Sequence, residues 1–180
     1  MPKTLVVNLF AGPGAGKSTT AARVFAALKD KNINCELVTE YAKTRVWKED
    51  FFTLNDQIYV FAKQRHKFMY LMDKVDVIVT DSPILLSIIY KHDETSEEFK
   101  SLVRLEHRKM NTLNVRLERT KPYHARGRLE NKEQAKSIDS FIKNAIKFFD
   151  LVATGDKKGA DEIIEAVLKR MYIGDCTDES

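Results

Sequence analysis

Short apolar runs alternate along the chain with longer segments that repeat at helical spacing. Residues 4–10 (TLVVNLF) form an apolar, β-branched run that ends close to a glycine, which predicts a buried strand. In residues 18–32, alanine, valine, phenylalanine and leucine recur every three to four positions, which predicts a helix of about three turns. The same patterns predict further strands at 34–40, 75–81, 112–119 and 150–155.

Helical periodicity fills the intervals between the later strands. Helices are predicted at 54–74, 83–90, 97–110, 131–149 and 159–172, and Asn131 is the expected N-cap of the fourth. Strands that alternate with helices indicate a parallel sheet with helices on both faces. Such sheets bind ligands outside the carboxyl ends of their strands, so residues at those ends are the first candidates for chemistry.

The composition is that of a soluble globular chain, with 180 residues of which 43% are hydrophobic and 31% are charged. We predict one domain over residues 3–171 and a flexible tail at 172–180. No apolar run reaches about 18 residues, and the first residues lack a signal-peptide pattern, so we expect a cytoplasmic protein without membrane association. Cys35 and Cys176 are too few for a disulfide framework or a zinc site. The net charge of +4 suits an anionic substrate.

A glycine-rich segment, AGPGAGKSTT at residues 11–20, lies between the first strand and the first helix. Glycine lets the backbone approach an anion closely, and the N–H groups at a helix start bind anions. Lys17 adds a positive charge, and the Ser18 hydroxyl can ligate magnesium, as in the P-loop of nucleotide-binding proteins. Ala11 replaces the first glycine of the usual motif, at a position that turns the chain. The predicted ATP-binding residues are Gly12, Pro13, Gly14, Ala15, Gly16, Lys17, Ser18 and Thr19.

Two carboxylates end predicted strands at the same edge of the sheet. Asp81 can hold magnesium together with Ser18, or accept a proton from a substrate hydroxyl, and its alternative role is to cap the next helix. Glu40 can orient a substrate hydroxyl or act as the general base, and its alternative is a solvated loop charge. The neighbouring Tyr41 can stack on a substrate ring.

The helix predicted over residues 55–72 carries two adjacent stripes. One contains Arg65 among apolar residues, where a buried arginine needs a partner. The other places Gln57 and a second glutamine beside phenylalanines, which suits a planar base; alternatively the phenylalanines are core and the glutamines solvated. We favour Gln57 and Arg65 as substrate-binding residues. The stripes comprise Ile58, Ala62, Arg65, Met69 and Met72, and Gln57, Phe61, Gln64 and Phe68.

A basic loop, ERTKPYHARGR, follows the fourth strand and has proline and glycine as helix breakers. Such a loop can close over transferring phosphates and neutralise developing charge. Arginine suits this role because its planar fork binds phosphate with two hydrogen bonds. We predict a lid at about residues 120–130 with Arg126 and Arg128 as its catalytic pair, and Arg119 as a substrate-binding residue.

Taken together, these segments resemble small P-loop kinases. AGPGAGKSTT, TEYAKTR, NDQIYVFAKQR, VDVIVTDSP and RTKPYHARGR occur in the same order as in the ribosylnicotinamide kinase domain of the bacterial bifunctional NAD-biosynthesis regulator and its phage-borne relatives. The resemblance spans residues 3–170 and implies a three-layer α/β P-loop NTPase fold with five parallel strands and an arginine-rich lid. It also implies ATP and Mg²⁺ as cofactors and phosphorylation of a hydroxyl on a nucleoside-like molecule. By this resemblance Lys17, Ser18, Asp81, Glu40, Arg126 and Arg128 perform the transfer.

Two other functions remain open on the residues alone. Between Arg104 and Arg128 the chain has eight Lys or Arg and two Glu, and such a segment can track the backbone of a nucleic acid. A polynucleotide or modified-base kinase is therefore one alternative, and a regulatory P-loop ATPase without a small-molecule acceptor is the other. A substrate-side carboxylate and a basic lid favour the small-molecule kinase, because a switch needs no second-substrate pocket. The sequence fixes neither the acceptor nor the oligomeric state.

Overall fold

A computed structural model describes residues 3–90, 95–120, 122–124 and 130–175. Five parallel strands form one sheet in the order β2-β3-β1-β4-β5. The strands are β1 (Leu5–Phe10), β2 (Cys35–Val38), β3 (Val77–Thr80), β4 (Asn111–Glu118) and β5 (Leu151–Thr154). The predicted α/β fold with a parallel five-stranded sheet is confirmed. The lid arginines Arg126 and Arg128, and residues 176–180 of the predicted tail, lie outside the described residues.

Helices cover both faces of the sheet, as predicted. The bounds are α1 (Lys17–Asp30), α2 (Tyr41–Trp47), α3 (Phe51–Asn55), α4 (Gln57–Met69), α5 (Leu86–Ile89), α6 (Glu97–Arg108), α7 (Lys132–Ala145) and α8 (Lys157–Asp175). The apolar sides of α1 and α8 pack on one face, and those of α4 to α7 pack on the other. None of the helices in the described part of the chain is long and apolar enough to cross a membrane.

The central strand β1 buries apolar side chains on both faces of the sheet, which explains why helices cover both faces. Val7 and Leu9 point into the core formed with α1 and α8, whereas Val6 and Phe10 point into the cores of the opposite face. Every residue of β1 is buried. A strand buried on both faces reads as a continuous apolar run, which is the pattern that residues 4–10 display.

The segment between β2 and β3 differs from its prediction. The structure contains the unpredicted helix α2, and where a single helix was predicted over 54–74, α3 begins earlier and ends at Asn55, and α4 runs from Gln57 only to Met69. Asp50 and Asp56 each cap the helix that follows, by accepting the backbone N–H of Thr53 and Tyr59. No residue of α2 or α3 is buried, and with seven and five residues each helix is too short for an apolar periodicity to stand out in the sequence.

Helix α4 turns its glutamine-containing stripe to the core. Phe61, Gln64 and Phe68 are buried, whereas Ile58 and Met69 of the other stripe are 64% and 44% exposed. The alternative is thus confirmed for the phenylalanines, which are core residues, but it is wrong for Gln64, which is buried rather than solvated. The larger aromatic area decides the orientation, because burial free energy scales with the apolar area removed from water.

Replacing Phe68 with alanine tests this orientation. Phe68 is 1% exposed, so Phe68→Ala should lower the free energy of unfolding by about 3–5 kcal/mol through lost burial and a cavity. Met69→Ala, on the exposed side of the same turn, should change it by about 0.5 kcal/mol or less. Urea denaturation of the two variants measures the difference. Equal losses would show that α4 is rotated relative to this description.

Candidate active site

The glycine-rich segment forms the loop from the end of β1 to the start of α1. Gly14 and Gly16 have φ angles of 78° and 101°, in the left-handed region that favours glycine. A Cβ on Gly16 would also lie 2.6 Å from the Gly155 carbonyl oxygen. Among the described residues no side chain caps α1, which leaves the N–H groups of its first turn without a side-chain acceptor, as a helix start that binds an anion requires.

Gly12 is required for a reason that the sequence does not reveal. A Cβ at this position would lie 2.5 Å from the Ala135 carbonyl oxygen, so the loop touches the backbone of α7. The Gly12 N–H donates to Asp139 Oδ1 at 2.5 Å. The N–H group of Gly12 thus anchors the loop to α7.

Lys17 is the first residue of α1, and its side chain folds back over the loop. Its Nζ donates to the carbonyl oxygens of Ala11 and Gly12, at 2.6 and 3.1 Å. Burial lowers the pKa of the ammonium group, while the negative charges of Glu40 and Asp81 oppose that shift. These contacts place a desolvated ammonium group where the loop can receive phosphates.

Ser18 and Asp81 meet where the loop passes the end of β3. The Ser18 hydroxyl donates to Asp81 Oδ2 at 2.5 Å, and Asp81 is only 5% exposed. The Asp81 carboxylate also accepts the backbone N–H of Glu40, at 3.2 Å. A hydroxyl and a carboxylate that converge in this way are hard oxygen donors of the kind that Mg²⁺ prefers, so the two residues fit the predicted metal site.

Glu40 follows β2 and faces the same space. Burial raises the pKa of its carboxyl group, and the positive charge of Lys17 opposes the shift. The charge of Asp81 also acts on both neighbours, since it raises the pKa of Lys17 and the pKa of Glu40. The structure therefore brings together the predicted phosphate-binding lysine, metal site and substrate-side carboxylate.

A cavity of about 510 Å³ extends from the loop towards α2, α3 and α4. Most of its wall comes from residues after β2 and β3. Its described lining comprises Pro13, Gly14, Gly16, Lys17, Ser18, Thr19, Glu40, Ala42, Lys43, Val46, Trp47, Phe51, Leu54, Asn55, Gln57, Val60, Gln64, Ser82, Pro83, Leu86, Ser87, Tyr90 and Glu130. This volume is within the usual range for a small-molecule site.

Some of the predicted substrate-binding residues line the cavity, and others lie elsewhere in the described structure. Gln57 lines the cavity, and its Nε2 donates to the Leu54 carbonyl oxygen at 2.8 Å. The described lining does not include Tyr41, whose ring packs edge-on against Tyr59 with centroids 6.2 Å apart. This ring pair joins α2 to α4, and the role of Tyr41 at the substrate stays a prediction.

Arg65 is also absent from the described lining of the cavity. Its Nε donates to Glu106 Oε2 at 2.7 Å, so it joins α4 to α6. The ammonium group of Lys109 and the guanidinium group of Arg65 hold the pKa of Glu106 below its usual value, against the effect of burial. Arg65 thus has the partner that a half-buried arginine needs.

Arg119 lies beside the loop at the end of β4. Its Nη1 donates to the Pro13 carbonyl oxygen at 2.9 Å, and its Nη2 and Nε donate to Asp139 Oδ2 at 2.8 and 3.2 Å. Asp139 therefore binds both the loop and Arg119. The predicted lid pair, Arg126 and Arg128, lies outside the described residues.

Sequence reasoning missed Asp139, Tyr90 and Glu130. Burial raises the pKa of Tyr90 well above its usual value, so its hydroxyl stays protonated at the cavity wall. Glu130 lies just before the N-cap of α7, and nothing local distinguishes it from a solvated charge. Asp139 lies one helical turn after the buried Ala135, and that spacing was the one available signal that it faces inward.

Comparisons with known proteins agree with this fold. Residues 6–159 match the family described as AAA domain. No curated protein matches the chain. The Mycobacterium tuberculosis APS kinase, solved with AMPPNP and APS, has 17% sequence identity and a TM-score of 0.56, over 94% of this chain and 99% of that one. The M. mycoides deoxyadenosine kinase with bound dATP has 18% identity and a TM-score of 0.52, over 93% and 99% of the two chains.

Replacing Asp139 tests the anchoring of the loop. Asp139→Ala removes the acceptor of the Gly12 N–H and of Arg119, and should lower the free energy of unfolding by about 1–3 kcal/mol. Asp139→Asn keeps an oxygen for Gly12 and should lose less. Denaturant titration of both variants provides the measurement. An alanine variant as stable as the wild type would show that the loop does not depend on this contact.

Proposed function

The chain belongs to the AAA domain family, and we propose that it is an ATP- and magnesium-dependent kinase. It transfers the γ-phosphate of ATP to a hydroxyl group of a nucleoside-like small molecule. One observation carries the proposal: Lys17 and Ser18 at the phosphate loop share a single cavity with Glu40, and this cavity continues past the loop towards α2, α3 and α4, where we place a second substrate. A nucleotide switch has no need of that second space.

The phosphate side of the cavity supports ATP binding. The left-handed glycines, the start of α1 and Lys17 together supply N–H groups and a positive charge to a triphosphate. Ser18 and Asp81 would hold Mg²⁺, which supplies neutralisation of the developing phosphate charge when it is bound. The similar APS kinase and deoxyadenosine kinase structures were solved with AMPPNP and dATP respectively, in agreement with this side of the proposal.

The acceptor side favours a sugar hydroxyl next to a planar ring. The aromatic rings of Trp47 and Phe51 and the amides of Asn55 and Gln57 line this part of the cavity. Such groups stack on a ring and hydrogen-bond its edge.

The charged residues that line the cavity restrict the chemical class of the acceptor further. Away from the loop, the charged residues in the described lining are Glu40, Glu130 and Lys43. This balance suits a neutral or cationic acceptor better than a phosphate-bearing one. Ribosylnicotinamide, implied by the sequence resemblance, has ribose hydroxyls and a planar cation, and it is our specific candidate.

Each of the charged site residues has a separate role in the proposed phosphoryl transfer. Lys17 holds the transferring phosphate, and Glu40 orients the acceptor hydroxyl and accepts its proton. Asp81 keeps Ser18 and the backbone of Glu40 in place. Catalysis then consists mainly of positioning and charge neutralisation. The closing role of Arg126 and Arg128 rests on the sequence.

A transfer assay with the Lys17→Ala variant tests the proposed function. Labelled ATP and magnesium would be incubated with nucleosides, ribosylnicotinamide, nucleoside monophosphates and short DNA. Loss of a positioned donor should lower kcat/KM by about 100-fold or more. Lys31→Ala, at an exposed lysine beyond the other end of α1, should match the wild type.

The product identifies which function is correct. A labelled small molecule that Lys17→Ala fails to form supports the proposal. Label on DNA would favour the nucleic-acid kinase, and free phosphate with every acceptor would favour the regulatory ATPase. Full activity of Lys17→Ala would refute the assignment of the phosphate loop.

Glu40→Gln tests the acceptor side separately. The amide keeps the size of the side chain but cannot accept the hydroxyl proton, so kcat should fall by about 100-fold or more. The dissociation constant for AMPPNP should change by less than about twofold, because the phosphate loop is untouched. Calorimetric titration and steady-state kinetics give the two values. A variant with unchanged kcat would remove Glu40 from the mechanism.

A further inference from the structure

One helix holds the backbone on both sides of Glu40. On the preceding side, Lys67 Nζ donates to the Thr39 carbonyl oxygen at 2.8 Å. On the following side, Gln64 Oε1 accepts the N–H of Tyr41 at 2.9 Å. Gln64 and Lys67 lie three positions apart on α4, so they project from the same face of the helix.

Gln64 also reaches the turn that carries Asp81. Its Nε2 donates to the Ser82 carbonyl oxygen at 3.1 Å, and the side chain is 4% exposed. The amide therefore joins the residue after Glu40 to the residue after Asp81. Glutamine suits this bridge because one end of the amide accepts a hydrogen bond while the other donates one.

The bridge is needed because the sheet does not hold Glu40. Strand β2 is an edge strand, and its pairing with β3 ends at Val38 and Thr80. Beyond that pair, Glu40 and Asp81 are neighbours, since the Glu40 N–H donates to Asp81 Oδ1, and the negative charge of Asp81 raises the pKa of Glu40 because two nearby carboxylates repel. Backbone hydrogen bonds from outside the sheet can offset this repulsion and fix the spacing of the two groups.

We propose that Gln64 and Lys67 are positioning residues, which hold the backbone around Glu40 so that its carboxylate meets the acceptor hydroxyl beside Asp81. The inference rests on the proposed function, since it requires Glu40 to act on the acceptor. Gln64 is thereby assigned to positioning and not to recognition of a nucleobase, because both polar atoms of its amide already bind the backbone.

Steady-state kinetics of α4 variants test the proposal. Gln64→Leu removes both hydrogen bonds at similar size and should lower kcat by about 10- to 100-fold, the range typical of a misplaced catalytic group. The dissociation constant for AMPPNP with magnesium should stay within about twofold of the wild type. Lys67→Met should also lower kcat. Lys67→Arg keeps a donor for the Thr39 carbonyl oxygen and should therefore keep kcat near the wild-type value.

A matched control lies on the same helix. Lys63 is exposed and its Nζ lies 5.2 Å from the Tyr59 ring centroid. Lys63→Met should therefore keep the kcat of the wild type. If Gln64→Leu fails to fold, Gln64→Glu and Lys67→Met carry the test, because Gln64→Glu keeps the acceptor for Tyr41 and loses the donor to Ser82.

A double-mutant cycle separates positioning from general damage. In a Glu40→Gln background there is no carboxylate left to place, so Gln64→Leu should cost less than about threefold in kcat. The full 10- to 100-fold loss in that background, or unchanged kcat in the single variant, would overturn the inference alone. A wild-type protein that phosphorylates no acceptor would overturn the proposed function and the inference with it.

Discussion

The position of β1 at the centre of the parallel sheet is the constraint on which the site depends. Its neighbours are β3 and β4, so the loop that leaves β1 emerges between Asp81 and Arg119. The hydrogen bond from Ser18 to Asp81 and the bond from Arg119 to the Pro13 carbonyl are direct results of that order. Because all five strands run parallel, the remaining site segments end at the same edge.

Desolvated charge is the second feature of the site. Lys17 and Glu40 are half-buried beside the buried Asp81, and burial together with the neighbouring charges shifts the pKa values of Lys17 and Glu40. A buried charge is costly unless it is paired or hydrogen-bonded. Here Lys17 binds loop carbonyls and Asp81 binds a hydroxyl and an N–H group. The site thus offers preorganised groups to a phosphate and a hydroxyl, which is the arrangement that phosphoryl transfer requires.

Features with a local signal could be predicted from the sequence, and features that arise from distant contacts could not. The strand, glycine loop, Lys17 and Ser18 follow one another along the chain, and Asp81 ends an apolar run. Helices without a buried face carried no such signal, so α2 was missed. The orientation of α4 depended on which stripe the rest of the fold covers. The anchor between Gly12 and Asp139 joins residues 127 positions apart, and no spacing rule reaches that far.

A crystal structure with AMPPNP and Mg²⁺ is the most direct test of the central claim, that one cavity aligns a triphosphate with an acceptor carboxylate. We expect the phosphates to occupy the loop around Lys17 and the metal to lie on Ser18 and Asp81. We also expect the γ-phosphate to face Glu40 across the space left for the acceptor. A nucleotide whose base fills the space beside Trp47, or whose γ-phosphate points away from Glu40, would show that the cavity does not serve phosphoryl transfer in this way.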